Sequence, residues 1–291
     1  MKVVNSIKRV IKYILYGVPM VKRVQANVVS LDINKMLDGR VALITGGTSG
    51  IGKAIAETFL KSGATVIITG RDESKINNVL NEIKNQNVLY EQKVFGVQLN
   101  NIQPSSFGHK LEEIIKLISP AKIDILVNNA GIGGGDISNT TEEEFDQVIK
   151  TNLNGTFFLS KIVSKYMIKN SIKGNVLNIA SSSSLRPAAS AYTFSKWGIR
   201  GFTLGLAKTL APFDITVNGL APGPTATPML HCDGHDISFE KNPMRRFAMP
   251  EEIANMAAVL VSDMGRMIVG DIVYMTGGAG VITFDDIEYN I

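Results

Sequence analysis

Cysteine is almost missing from this chain. Cys232 is the single one in 291 residues, so no intrachain disulfide can form, and the framework suits a reducing compartment. A structural metal is equally short of ligands. His231 and His235 flank Cys232, but no second cysteine pair or helical His-Glu frame accompanies them, so no metal is expected. No apolar run reaches the roughly 18 residues that a membrane span needs, and no small-residue cleavage site follows a short apolar core. Internal repeats, low-complexity tracts and linkers are also missing, which argues against division of the body into two domains.

Net positive charge is absent from the body and concentrated at the front. Residues 1–35 carry Lys2, Lys8, Arg9, Lys12, Lys22, Arg23 and Lys35 against Asp32 alone, whereas the chain as a whole is only +4. The body therefore has a slight acidic excess and is no nucleic-acid surface. In the first 18 residues Val3, Val4, Ile7, Val10, Ile11, Ile14, Leu15 and Val18 recur at three- and four-residue steps between lysines, which predicts a basic amphipathic helix ending near Gly17 and Pro19. Two destinations fit it: packing on the body or a sister subunit, or lying flat on an anionic membrane. Residues 1–36 thus read as an extension, residues 37–291 as one domain, and the protein as cytoplasmic or peripheral to the inner face of a membrane.

What the chain does have is alternation. Val41 to Thr45, Thr65 to Thr69, Val94 to Leu99, Ile123 to Val127, Asn175 to Ala180, Ile215 to Leu220 and Ile272 to Thr276 are short, mostly continuous apolar runs separated by helical periods. Strands apolar on successive residues are buried on both faces, so the pattern predicts an α/β fold: a Rossmann-type, doubly wound, parallel seven-stranded sheet with helices on both faces. The first strand runs straight into Gly46, Gly47, Thr48, Ser49, Gly50, Ile51 and Gly52, and a helix continues to Lys61. Glycines at such a strand-to-helix turn let backbone N–H groups and the positive helix end hold a pyrophosphate. Further on, Tyr192 and Lys196 are four residues apart. On a helix they share a face, and an ammonium beside a phenol favours the phenolate, which would draw the Tyr192 pKa down toward working pH.

The turn TGGTSGIG, the Asn128-Asn129-Ala130-Gly131 segment after the fourth strand and Tyr192-Thr193-Phe194-Ser195-Lys196 together resemble the short-chain dehydrogenase/reductase family, in its compact branch with the 3-oxoacyl-ACP reductases. The resemblance runs from about Leu37 to Gly280. It implies a nicotinamide dinucleotide held by Gly46, Thr48, Ser49, Gly50, Ile51 and Gly52, by Asn129, Ala130 and Gly131, and by Pro222, Gly223, Thr225 and Thr227 over the nicotinamide face. It assigns catalysis to Asn152, Ser181, Tyr192 and Lys196. Asn152 would anchor a proton-relaying water, Ser181 and Tyr192 would hold the carbonyl, and Lys196 would bind the ribose and keep Tyr192 acidic. Ser182 and Ser183 compete for the serine role, because the loop to Tyr192 is about two residues shorter than usual in the family. Near the adenine, Asn100 stands where an acid is usual and is equally readable as a loop cap.

Cofactor choice follows from the end of the second strand. Thr69 stands where an NAD-selecting acid would be and Arg71 follows, which predicts NADP(H) in preference to NAD(H), with Asp72 as the group able to blunt Arg71. Residues Pro228 to Met244 are expected to form a substrate lid. The expected protein is a carbonyl-reducing or alcohol-oxidising enzyme, a homotetramer or homodimer, with a 3-oxoacyl thioester as the first substrate to consider. The competing reading from another class is a catalytically idle dinucleotide-binding scaffold recruited through its basic tail.

Overall fold

In the computed structural model, residues 35–86, 93–230, 232 and 237–282 are described. The expected amphipathic helix of residues 1–18, and His231 and His235, lie outside them. Seven parallel strands form one sheet: β1 (Val41–Thr45), β2 (Thr65–Gly70), β3 (Val94–Gln98), β4 (Ile125–Asn128), β5 (Asn175–Ile179), β6 (Thr216–Pro222) and β7 (Ile272–Met275). Their spatial order is β3-β2-β1-β4-β5-β6-β7. The helices are α1 (Gly50–Lys61), α2 (Glu73–Gln86), α3 (Phe107–Ile118), α4 (Glu142–Ile149), α5 (Gly155–Lys169), α6 (Ala191–Leu210) and α7 (Pro250–Val261).

Strand period explains the two cores. Successive side chains point to opposite faces, so Ala42 and Ile44 of β1 join one apolar cluster with Ile55 and Phe59 of α1 and Ala254 of α7. Val41 and Leu43 join the other, with Phe107 of α3 and Leu159 and Val163 of α5. Both faces being dry is why these strands carry no polar alternation. At the lower edge Arg40 pins the layers: its guanidinium meets Asp124, donates to Asn175 Oδ1 at 2.6 Å and to Val261 O at 3.3 Å.

The order reverses between β1 and β4. Loops leaving the carboxyl ends of these neighbours diverge to opposite faces, which opens a crevice at that edge, the place where open α/β sheets bind ligands. Among the described residues no helix is long and apolar enough to cross a membrane.

Candidate active site

A cleft of about 560 Å³ opens over the carboxyl ends of the strands. One wall is the turn after β1. Gly46 and Gly50 take φ of +64° and +52°, a left-handed backbone that favours glycine. The first turn of α1 carries no acid and its N-cap residue Ser49 makes no side-chain cap, so backbone N–H groups there are left for an anion. A Cβ on Gly50 would meet the Thr227 methyl at 3.2 Å. These features fit the phosphates of a dinucleotide.

Gly52 works differently from its sequence reading. It does not line the cleft; a Cβ there would lie 2.3 Å from both Asn129 Nδ2 and Gly46 O. Its job is close packing under the turn. Asn129 Nδ2 donates to the carbonyls of Thr45 and Gly46 at 3.0 Å, and Thr45 Oγ1 accepts from the N–H of Asn129 and of Ala130. Gly52→Ala is expected to cost about 2 kcal/mol, because the clash is with backbone, and to weaken dinucleotide binding. Thermal unfolding and a fluorescence titration with NADPH check this; a variant melting with the parent would contradict it.

The facing wall carries the expected catalytic side chains. Ser190 caps α6 by accepting from Thr193 N–H at 3.2 Å, which puts Tyr192 in the first turn and Lys196 one turn later. Lys196 Nζ lies 5.5 Å from the centre of the Tyr192 ring and donates to Ile179 O at 2.8 Å. Ser181 follows β5 and lines the cleft with Tyr192, close enough for its hydroxyl to favour the ionised phenol. Of the serines left open by the sequence, this is the one the phenol meets. Ser181 Oγ also accepts from Ser183 N–H at 3.1 Å, and Ser182 and Ser183 line the cleft as well.

Electrostatics depart from the sequence expectation. Burial pushes the Tyr192 pKa up rather than down, and the Ser181 hydroxyl opposes this only in part. Proximity to Lys196 does not outweigh desolvation, because burial disfavours the charged form of both groups. The same burial brings Lys196 down to about 8.

Asn152 lies behind the wall rather than in it. It sits in a π-helical segment, Lys150–Asn154, between α4 and α5, not in a regular helix. Its Nδ2 donates to Ile132 O and to Ser195 Oγ, both at 3.0 Å, and its Oδ1 accepts from Ile132 N–H at 2.8 Å. It therefore braces the loop after β4 against α6. Asn100 likewise caps its own loop by accepting from Ile102 N–H, while Leu99 and Asn101 line the cleft there.

At the end of β2 the strand runs one residue further than expected. Thr69 is buried, and the residue that faces the cleft is Gly70, followed by Arg71. Asp72 Oδ1 accepts from Lys75 N–H at the start of α2 and makes no ion pair with Arg71. Ala130, Gly131, Thr48, Ser49, Ile51, Pro222, Gly223, Thr225 and Thr227 all reach the cleft. Pro228, Met229 and Leu230, at the start of the expected lid, line it, residue 231 and residues 233–236 of that segment lying outside the described residues; sequence reasoning missed Thr151, Ile132 and Arg186, which line it too. Their only signal was adjacency to motif residues. No cluster of metal-ligating side chains occurs among the described residues.

A doubly wound sheet with a glycine cradle at its switch point and a Ser-Tyr-Lys group across the cleft defines a nicotinamide-dependent oxidoreductase of alcohols and carbonyls. The short-chain dehydrogenase family matches residues 40–237, and the chain belongs to that family. It is 38% identical over 248 residues to the 3-oxoacyl-[acyl-carrier-protein] reductase FabG of Aquifex aeolicus, covering 83% of this chain and 98% of that one. A 3-ketoacyl-(acyl-carrier-protein) reductase from Brucella melitensis, solved with NADH, superposes with a TM-score of 0.75 at 31% identity, over 84% of this chain and all of the other. An actinorhodin polyketide ketoreductase with NADPH gives 0.74 at 31%, over 83% and 97%.

Proposed function

We propose that this protein reduces the ketone of a 3-oxoacyl thioester with NADPH. The observation that carries the reading is the Tyr192 phenol on the cleft wall, beside Ser181 and with Lys196 Nζ 5.5 Å from its ring centre, in the same cleft as the glycine turn. The Ser181 and Tyr192 hydroxyls hold the substrate oxygen and polarise the carbonyl. The glycine turn and the loop after β6 would hold a reduced nicotinamide dinucleotide, which when bound would supply the hydride for the carbonyl carbon. Tyr192 delivers its proton to the oxygen, and Lys196 offsets the charge left on the phenol. The thioester is favoured because FabG of Aquifex aeolicus is named for that substrate. Rapid NADPH consumption with a 3-oxoacyl thioester tests this; no consumption with any ketone would overturn it.

The preference for NADPH rests on the end of β2. An acid at position 70 would meet the Thr48 side chain, since even a Cβ there lies 3.0 Å from its methyl. Arg71 lines the cleft with no ion pair among the described residues. A free guanidinium suits a 2′-phosphate bidentately. Arg71→Ala is expected to raise the KM for NADPH about 10- to 100-fold and to change that for NADH little. A parent enzyme with the lower KM for NADH would refute the preference.

Assembly as a homodimer or homotetramer is supported by the exposed Phe157, Phe158 and Leu204 on α5 and α6. Apolar patches of this kind mark contact surfaces.

A further inference from the structure

Among the described residues, those lining the cleft include no Asp, Glu or His, and their cations are Arg71, Lys196 and Arg186. Two of these have work already. Arg71 stands beyond β2, on the side away from the serine loop, and Lys196 is bound to Ile179 O beside Tyr192. Arg186 has none: among the described residues its guanidinium makes neither an ion pair nor a hydrogen bond, and it lines the cleft beside Ser190 and Tyr192.

Its mount, by contrast, is fixed. Arg186 O accepts from Trp197 Nε1 at 2.8 Å and Arg186 N–H donates to Ser183 O at 3.2 Å. Ser184 O accepts from Arg200 Nη1 at 3.1 Å, and Ser184 Oγ donates to Ser181 O at 2.7 Å. The whole turn from Ser181 to Arg186 is thus tied to α6 and to itself. A fork of N–H donors on a preordered backbone, in a cleft whose described lining carries no carboxylate, loses little freedom on meeting an oxyanion. The cofactor does not supply that oxyanion here. Its phosphate cradle follows β1, and β4 separates β1 from the β5 loop that carries Arg186.

The geometry points to Arg186 as the residue that selects an anionic substrate, one whose reacting ketone is joined to a carboxylate or a phosphate that the guanidinium holds. This rests on the reductase reading above and adds a specificity determinant to it. Apolar Met229 and Leu230, which line the same cleft, accommodate the carbon chain between the two groups.

The test compares acetoacetate, acetoacetyl-CoA and neutral ethyl acetoacetate with NADPH, in the parent and in Arg186→Met. The kcat/KM ratio of an anionic to the neutral substrate is expected to fall about 10- to 100-fold in the variant, mainly through KM. A fall for acetoacetate identifies a carboxylate, and a fall for acetoacetyl-CoA alone identifies a phosphate; unchanged ratios for both would overturn the inference. Binding gives a second readout that needs neither turnover nor the variant. Trp197 is the only tryptophan in the chain and touches the Arg186 carbonyl, so its emission reports this loop. In the parent loaded with NADP+, both anionic probes, or one of them, should bind more tightly than the ester and weaken as salt rises. Equal affinity for all three probes would overturn it. Absence of NADPH consumption with every probe would refute the reductase reading alone, because the binding comparison still decides the role of Arg186.

Discussion

Tyr192→Phe is expected to lose turnover by about three orders of magnitude, the usual worth of a positioned proton donor, while NADPH binds nearly as before. The substitution removes one oxygen from a half-buried ring and leaves its packing in place. Ser181 then holds the carbonyl alone and has no partner through which to pass a proton. The phenol pKa is raised by burial, so Tyr192 is a protonated donor across the neutral range and is well placed for the reducing direction. Single-turnover kinetics with NADPH, together with a fluorescence titration of NADPH, separate chemistry from binding. Turnover within tenfold of the parent would dismiss Tyr192 as the proton donor.

Lys196→Met is expected to abolish most activity and yet make the unliganded protein more stable at pH 7. Burial lowers the Lys196 pKa to about 8, from 10.5. Below pH 8 folded and unfolded chains both carry the charge, and the folded chain bears the full cost of holding it out of water. Between pH 8 and 10.5 the unfolded chain binds more protons than the folded one, so stability rises with pH; above that window the cost is gone. The shift corresponds to roughly 3 kcal/mol, offset by about 1 kcal/mol for the lost bond to Ile179 O. Denaturant unfolding should show the variant about 2 kcal/mol more stable at pH 7, with the advantage shrinking toward pH 10. A variant less stable than the parent at pH 7 would refute this account.

Much of the architecture was legible because its signals are local. Continuous apolar runs such as Val41 to Thr45 report burial on both faces, and a glycine turn after the first of them reports a phosphate-holding bend. The spacing of Tyr192 and Lys196 reports a shared helical face. What escaped depends on long-range facts. A strand that runs one residue longer exchanges Thr69 for Gly70 at the cleft, since side chains alternate. Spacing reveals that Lys196 is near Tyr192 but not that both are desolvated, so the direction of the phenol shift was misread. Arg186 lies on a loop without periodicity, and only folding brings it to the rim of the cleft.

The wide turn at Lys150–Asn154 accommodates one residue more than a regular helix would. Each residue of an α-helix advances about 100° around the axis. Were the chain from Glu142 to Lys169 evenly wound, the amide at position 152 would swing a quarter-turn or more from Ile132 and Ser195. The crosspiece joining the two halves of the crevice is therefore a matter of helical phase: a change in backbone winding aims it, and no choice of amino acid could do so.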